Sequence, residues 1–421
     1  MELNKEQEYA LNILKSGKNV FITGSAGTGK TTLIQFYKEF CNQKRVKIAL
    51  TSTTGISALL INGTTIHSFA GIKTGNVSIT QVLNNKFAVK NWKEVEVLVI
   101  DEISMLKPEI FELLNNIAKA VRQNERPFGN IQIIGTGDFA QLPPVYIEDE
   151  TKFCFESPIW NEIFPKKSII QLKQIMRQSD NEFKKCLQEI RENNPSEETI
   201  ALLNTRIRAP KIINGIIPTK LYATKSDVND INNREIQKLI DQGNEIRIYD
   251  SSITFSMNNI SEAQKKLLID RIDKSCPALD NLILPIGAQV MVIFNISLER
   301  EIVNGSRGVL IDFIEDFPKI RLLNGLEIVI TRQGWKYKEY NSKINVIKSQ
   351  IPLIPAYALT IHKSQGATLD TAIIDVGSKI FEHGQLYTAL SRVKSIENLY
   401  LINFDETKII CNEKVKEFYK N

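Results

Sequence analysis

Eight residues constrain this chain most. Positions 24–31 read GSAGTGKT, matching G-x-x-x-x-G-K-[ST], and lie between the apolar run NVFIT and a stretch of helical spacing that reaches Phe40. Glycines there let successive backbone N–H groups curl around phosphate oxygens, and the start of the following helix adds the positive end of its dipole. Lys30 is the expected partner of the terminal phosphates and Thr31 of a magnesium ion. The stretch Gly24, Ser25, Ala26, Gly27, Thr28, Gly29, Lys30, Thr31 and Thr32 is therefore the expected seat of a nucleoside triphosphate. The Lys-Thr pair argues against a dinucleotide, whose fingerprint lacks it.

Further apolar runs, KIALTS, VEVLVID and IQIIGTGD, alternate with amphipathic stretches, which predicts a parallel sheet with helices on both faces. VEVLVIDE puts Asp101 and Glu102 at the end of a buried strand, where carboxylates need a cationic partner. A bound magnesium ion supplies one for Asp101, and Glu102, one residue on, is placed to polarise an attacking water. On its own an Asp-Glu pair more often starts a helix, but the phosphate loop upstream reverses those odds. GTGDFAQLPPV ends a third strand and brings Gln141 to the same edge of the sheet, as a γ-phosphate sensor or a plain loop residue.

At 421 residues the chain has room for two or three domains. No apolar run is long enough to span a bilayer, and the N-terminal residues mix both charges with helical spacing, which argues against secretion. Five scattered cysteines without a CxxC pair, and three histidines, fit neither a disulfide framework nor a zinc site. A net charge of +5 permits a polyanionic partner without naming one. The stretch 296–350 reads as short strands, with Asn324-Gly325 as a two-residue hairpin turn and Asn304-Gly305 and Gly308 as further turns.

In this order the motifs resemble the Pif (petite integration frequency) family of superfamily 1 helicases over nearly the whole chain. LNKEQEYALNIL is similar to its adenine-reading segment, with Gln7 as reader, and TSTTGISALLINGTTIHSFAGI to its first DNA-contacting segment. RPFGNIQ resembles a family signature, with Asn130 in place of the usual second glycine. LKQIMRQSD and YTALSRV resemble the segments that carry arginine fingers, here Arg177 and Arg392, with Gln385 and Tyr387 as nucleotide-side and packing positions. ALTIHKSQGATLD resembles the segment joining DNA contacts to the nucleotide cleft, which adds Gly366 to the ATP site.

The resemblance implies two tandem RecA-like domains. The first covers 1–70 and 94–165 with a small insertion at 71–93 as candidate wedge; the second covers 166–295 and 351–421 with an SH3-like β-barrel inserted at 296–350. Lys30, Asp101, Glu102, Gln141, Arg177 and Arg392 are then catalytic, and Thr31 and Asp101 hold the magnesium of Mg-ATP. Thr54, Thr65, His67 and Phe69 are the expected DNA contacts of the first domain, and Thr360, His362, Lys363 and Ser364 those of the second. Phe69 as a core residue has equal standing. The implied activity is an ATP-driven motor, a monomer, that moves 5′-to-3′ on single-stranded DNA and opens forked or structured DNA, G-quadruplexes included. It would serve replication, recombination, repair or telomere-type maintenance, in the cytoplasm of a bacterium or the nucleus or mitochondrion of a eukaryote. A nucleotide-dependent DNA-binding switch is the alternative from another class, and Glu102, Arg177 and Arg392 together argue against it.

Overall fold

The computed structural model describes residues 2–72, 78–144, 151–222, 224–257, 260–297, 299–300, 302–338, 344–377, 380 and 382–420. The chain divides into two compact units: Met1–Met176 with Phe255–Cys276 and Lys336–Val346, and Arg177–Thr254 with Pro277–Trp335 and Ile347–Asn421. Among the described residues no helix is long and apolar enough to cross a membrane.

The first unit is built on six strands, β1 (Val20–Gly24), β2 (Ile48–Ser52), β3 (Thr64–Thr65), β4 (Val97–Asp101), β5 (Gln132–Thr136) and β6 (Ile169–Leu172), in the order β3-β2-β4-β5-β1-β6. Every pairing is parallel. β1 and β4 are buried along their whole length, which explains their continuous apolar runs: both faces of the sheet are covered. On one face, helices α1 (Lys5–Lys15) and α2 (Lys30–Gln43) pack Ala10, Leu14, Leu33 and Ile34 against Val20, Ile22 and Val99. An aromatic cluster forms elsewhere in the core. Phe21 meets Trp160 edge-on at 5.2 Å and Phe139 at 5.4 Å between ring centroids, and Trp160 stacks edge-on with Phe164 at 4.8 Å.

Two short helices, α3 (Gly55–Leu60) and α4 (Ile66–Ala70), follow β2 and β3, capped by Thr54 and Thr65. The insertion at 71–93 holds α5 (Ile79–Leu83) and most of α6 (Lys86–Glu94), with Ser78 and Asn85 as caps; its residues 73–77 lie outside the described residues. Arg122, at the end of α7 (Pro108–Arg122), ties the insertion down, donating to the carbonyls of Trp92, Val95 and Gly129 at 2.8–3.1 Å. The helix Glu262–Ser275 also belongs to this unit, so close that a Cβ on Gly55 would lie 2.7 Å from Ser275 Cα.

The second unit has a four-stranded parallel sheet in the order Ala358–Thr360, Thr219–Tyr222, Ala372–Asp375, Leu399–Ile402. A five-stranded antiparallel sheet accompanies it: Glu327–Val329, Phe317–Leu322, Arg307–Ile314, Gln289–Val292 and Leu353–Pro355. Leu282, Val290, Leu310, Ile320 and Leu353 share its core with Ile236 and Tyr249.

The α/β class with parallel sheets agrees with the sequence reading, while several details differ. Of the strands within 296–350, Arg307–Ile314, Phe317–Leu322 and Glu327–Val329 join Gln289–Val292 and Leu353–Pro355 in an open sheet, Gln333–Lys338 and Asn345–Gln350 belong to a separate sheet, and no closed barrel is formed among the described residues. Phe255–Cys276 and Lys336–Val346, expected in the second domain, pack with the first unit, and the first boundary falls at Met176 and not at Pro165. Asn324 and Gly325 do lie in a turn, but Leu322 N–H bonds to Leu326 O, so three residues connect the strands, with Gly325 at φ 86°. Gly308 is a strand residue opposite Leu322; a side chain there would press to 2.8 Å on Arg321 O, which is why the position is glycine.

Candidate nucleotide and nucleic-acid sites

The phosphate loop emerges from β1, flanked by β5 and β6, and runs straight into α2. Gly24, Gly27 and Gly29 have φ of 144°, 83° and 81°, values L side chains resist. Space is also short: a Cβ on Gly24 would collide with Leu172 O, and one on Gly29 with Gln7 Nε2. Lys30 Nζ donates to Gly24 O at 2.8 Å and Ser25 O at 3.2 Å, which draws the ammonium across the mouth of the loop. Ser25, Ala26 and Thr28 are buried; Thr31 is exposed and Thr32 half-buried at the start of α2.

Gln7 sits under this loop. Its Nε2 donates to Thr28 O at 3.2 Å, and its Oε1 accepts from Asn4 N–H in the capping box of α1. Both ends of the amide are thereby engaged and the side chain is buried. A Gln7 that read adenine would have to exchange one of these bonds.

Asp101 ends β4. Thr136, on the adjacent strand β5, donates its hydroxyl to Asp101 Oδ1. Burial pushes the Asp101 carboxyl above its ordinary range, against the Thr136 hydroxyl, the Glu102 N–H and Lys30, which favour the charge. A cation beside it would restore the ionised form, and a carboxylate with the Thr31 hydroxyl is the hard-oxygen chemistry that magnesium takes. Glu102 follows at φ 52°, ψ 41°, a left-handed conformation that costs energy in a non-glycine residue. Its carbonyl accepts from Thr53 Oγ1 at 3.1 Å and Met105 N–H at 3.0 Å, which pins the turn. After β5, Gly137 N–H bonds to Ile22 O of β1, and Asp138 accepts from Ala140 and Gln141 N–H, so the buried Gln141 is fixed from the same sheet. Phosphate loop, Asp101, Glu102 and Gln141 thus belong to one unit and one sheet edge.

Arg177 and Arg392 belong to the second unit and meet at one residue. Arg177 donates to Ser391 O at 3.0 Å, and Arg392 to Ser391 Oγ at 2.7 Å and Thr388 O at 2.9 Å. Gln178, which the sequence reading passed over, holds Ser391 O and Val393 O at 3.2 and 2.8 Å. Its place beside Arg177 was the available signal. Gln385 and Tyr387 are buried in the helix Gln385–Leu390.

On the expected DNA-facing segments, exposure sorts the candidates. Thr54 and Thr65 are half-buried caps whose hydroxyls accept from Ser57 and Ser68 N–H. His67 is half-buried, and burial lowers its pKa, favouring the neutral ring. Phe69 is corrected: it is 1% exposed, edge-on to Trp92 at 5.0 Å, with no face left for a base. In the second unit Thr360 and Ser364 are buried and build their own turn, Thr360 Oγ1 accepting from Lys363 N–H and Ser364 Oγ donating to Ile361 O. Their side chains are structural; the exposed Lys363, half-buried His362 and exposed Gly366 at φ 77° are the accessible part of the turn.

Residues 2–201 match the PIF1-like helicase family, and 268–313 match the 2B domain of DNA helicase Pif1. The ATP-dependent DNA helicase PIF1 of Danio rerio is 37% identical over 426 residues, covering 100% of this chain and 64% of that protein. The crystal structure of Pif1 helicase from Candida albicans shares 37% identity and a TM-score of 0.77, covering 100% of this chain and 99% of that one. The chain belongs to the PIF1-like helicase family. Pif1 from Bacteroides, crystallised with ADP-AlF3 and single-stranded DNA, matches at 30% identity and a TM-score of 0.66, covering 100% of this chain and 97% of that one. The chain spans 64% of the length of the curated PIF1 relatives it matches first.

The 2B match begins inside the helix Glu262–Ser275, earlier than the 296–350 read from the sequence. Seen as a PIF1-like signature, RPFGNIQ places Phe128, Gly129 and Asn130 all at positive φ, of 48°, 58° and 65°. Asparagine is among the non-glycine residues that tolerate this region best, so Asn130 keeps the turn that the usual glycine makes. Tyr337 was missed altogether. Its hydroxyl lies 2.7 Å from Ser68 Oγ and 3.4 Å from Thr64 Oγ1, a contact far apart in sequence that no local pattern announces.

Proposed function

We propose that this chain is an ATP-dependent DNA helicase that moves 5′-to-3′ on single-stranded DNA and opens forked or structured duplexes. The observation that carries the reading is the convergence of the phosphate loop, Asp101, Glu102 and Gln141 on one sheet edge in a PIF1-like chain. A related Pif1 bound to ADP-AlF3 and single-stranded DNA supports nucleotide and track alike. Lys30 and the loop amides hold the phosphates. Thr31 and Asp101 would hold a magnesium ion, which when bound would draw charge from the phosphate oxygens. Glu102 takes the proton of the attacking water as the β–γ bond breaks, Gln141 responds to the γ-phosphate, and Arg177 and Arg392 offset the charge that develops there. His362 and Lys363 bind the strand through its sugar-phosphate chain without reading sequence. Monomeric action, use of G-quadruplex DNA, and a wedge in the insertion at 71–93 belong to the same proposal, as does work in replication, recombination or repair wherever the cell keeps its DNA.

ATP hydrolysis with and without single-stranded DNA, and opening of forks bearing a 5′ or a 3′ tail, test it against Lys30→Ala. Stimulated hydrolysis, opening of the 5′-tailed fork alone, and loss of both in the variant are expected. Stimulated hydrolysis with neither fork opened would make the chain a translocase or switch.

A further inference from the structure

Arg307 opens the antiparallel strand Arg307–Ile314 and is fully buried. Burial pushes its pKa down to about 10, with Asp370 acting the other way. The guanidinium reaches out of its own sheet, donating to Ile217 O at 2.9 Å, Thr219 Oγ1 at 3.0 Å and Thr371 Oγ1. Its Nε meets no hydrogen-bond partner. A buried charge satisfied in this incomplete way is poor evidence of stabilisation, since an apolar side chain of similar volume often serves packing as well or better.

What the charge holds has a definite place. Thr219 starts one strand of the parallel sheet and Thr371 directly precedes another. Thr371 also ends the connection that begins after Thr360, whose near end presents His362 and Lys363. Along that connection Thr368 O lies against Gly305, where any Cβ would collide with it. Leu369 N–H donates to Arg392 O at 2.9 Å, and Asp370 pairs with Lys394 at 3.1 Å. One short segment therefore joins the strand-facing turn, the backbone of Arg392 and the antiparallel sheet.

We propose that Arg307 is a positioning residue that anchors the segment 361–371, so that a nucleic-acid strand bound at His362 and Lys363 is felt at Arg392. The inference rests on the helicase reading of those residues. It is tested in the full chain with Arg307→Met and, as a smaller perturbation of the same contact, with Thr371→Val, which removes a single hydroxyl. Melting temperature, affinity for labelled oligo-dT, and ATP turnover with and without oligo-dT are measured. Basal turnover is expected within about twofold of wild type, and oligo-dT-stimulated turnover about tenfold lower in Arg307→Met and about fivefold lower in Thr371→Val, the low end of ordinary coupling between sites. Wild type without stimulation defeats the helicase reading itself. Wild type stimulated and both variants stimulated equally defeats the role of Arg307 alone, as does a parallel fall of basal turnover, stimulated turnover and melting temperature.

Discussion

Replacing Phe69 separates a core role from a base-stacking role by two measurements that move independently. The ring is 1% exposed and lies edge-on to Trp92, 5.0 Å between centroids. Phe69→Ala deletes a fully buried aromatic side chain, a change that costs about 3–5 kcal/mol. In a unit of roughly 200 residues each kcal/mol shifts the midpoint by about 2–4 °C, so melting of the first unit should fall by about 6–20 °C. Phe69→Leu keeps most of the volume and should cost less than about 1.5 kcal/mol. Stacking on a base is worth about 1–3 kcal/mol, so if the ring met DNA, Phe69→Leu would weaken single-strand binding by about 5- to 150-fold. The buried position instead predicts affinity for oligo-dT within about twofold of wild type, read by fluorescence anisotropy at fixed salt, because phosphate contacts depend on it. A tenfold loss of affinity in Phe69→Leu with unchanged melting would refute the core assignment.

Two further outcomes follow from backbone geometry and burial. Asn130→Ala, at φ 65°, should lose about 1–2 kcal/mol in urea unfolding, while Asn130→Gly should lose nothing; equal losses would show that the turn does not depend on left-handed backbone. Burial holds the His67 pKa below its ordinary value, so the folded state binds fewer protons than the unfolded state near that value, and the stability contributed by the neutral ring is lost as pH falls through the unfolded pKa of about 6.5. His67→Gln should flatten the decline of the urea midpoint between about pH 7.5 and 5.5 relative to wild type; parallel profiles would remove His67 as its source.

The candidate nucleotide side has a local pattern: three glycines, Lys30 and Thr31 lie within one turn of chain, and Asp101-Glu102 follows an apolar run that the structure shows as a fully covered strand. The candidate DNA contacts were less legible. Thr360 and Ser364 have the right residue types for phosphate contact, yet their hydroxyls close a turn, and only exposure separates them from Lys363. Tyr337 reaches Ser68 across a sequence separation of 269 residues, and Phe255–Cys276 packs with a unit whose main body ends at Met176; periodicity reports which face of an element is apolar but not which partner covers it. The inserted strands were found, but closure into a barrel depends on how the end strands meet, which no alternation of apolar and polar residues encodes.

The first glycine of the phosphate loop is a scaffold position as much as a ligand position. Gly24 is confined by its own φ and by the carbonyl of Leu172, the last residue of β6, which pairs with β1 beside it. An alanine there must displace β6 from β1, and would surface as poor yield or a lowered melting point before any turnover is assayed. Lys30, by contrast, donates its ammonium to two carbonyls of the loop and favours the charge on Asp101, and its truncation leaves the backbone pairing of β1 with β6 in place. Inactivity at Gly24 would thus be ambiguous between a damaged scaffold and a missing phosphate cradle, whereas inactivity at Lys30 with an unchanged melting point speaks to the phosphate site.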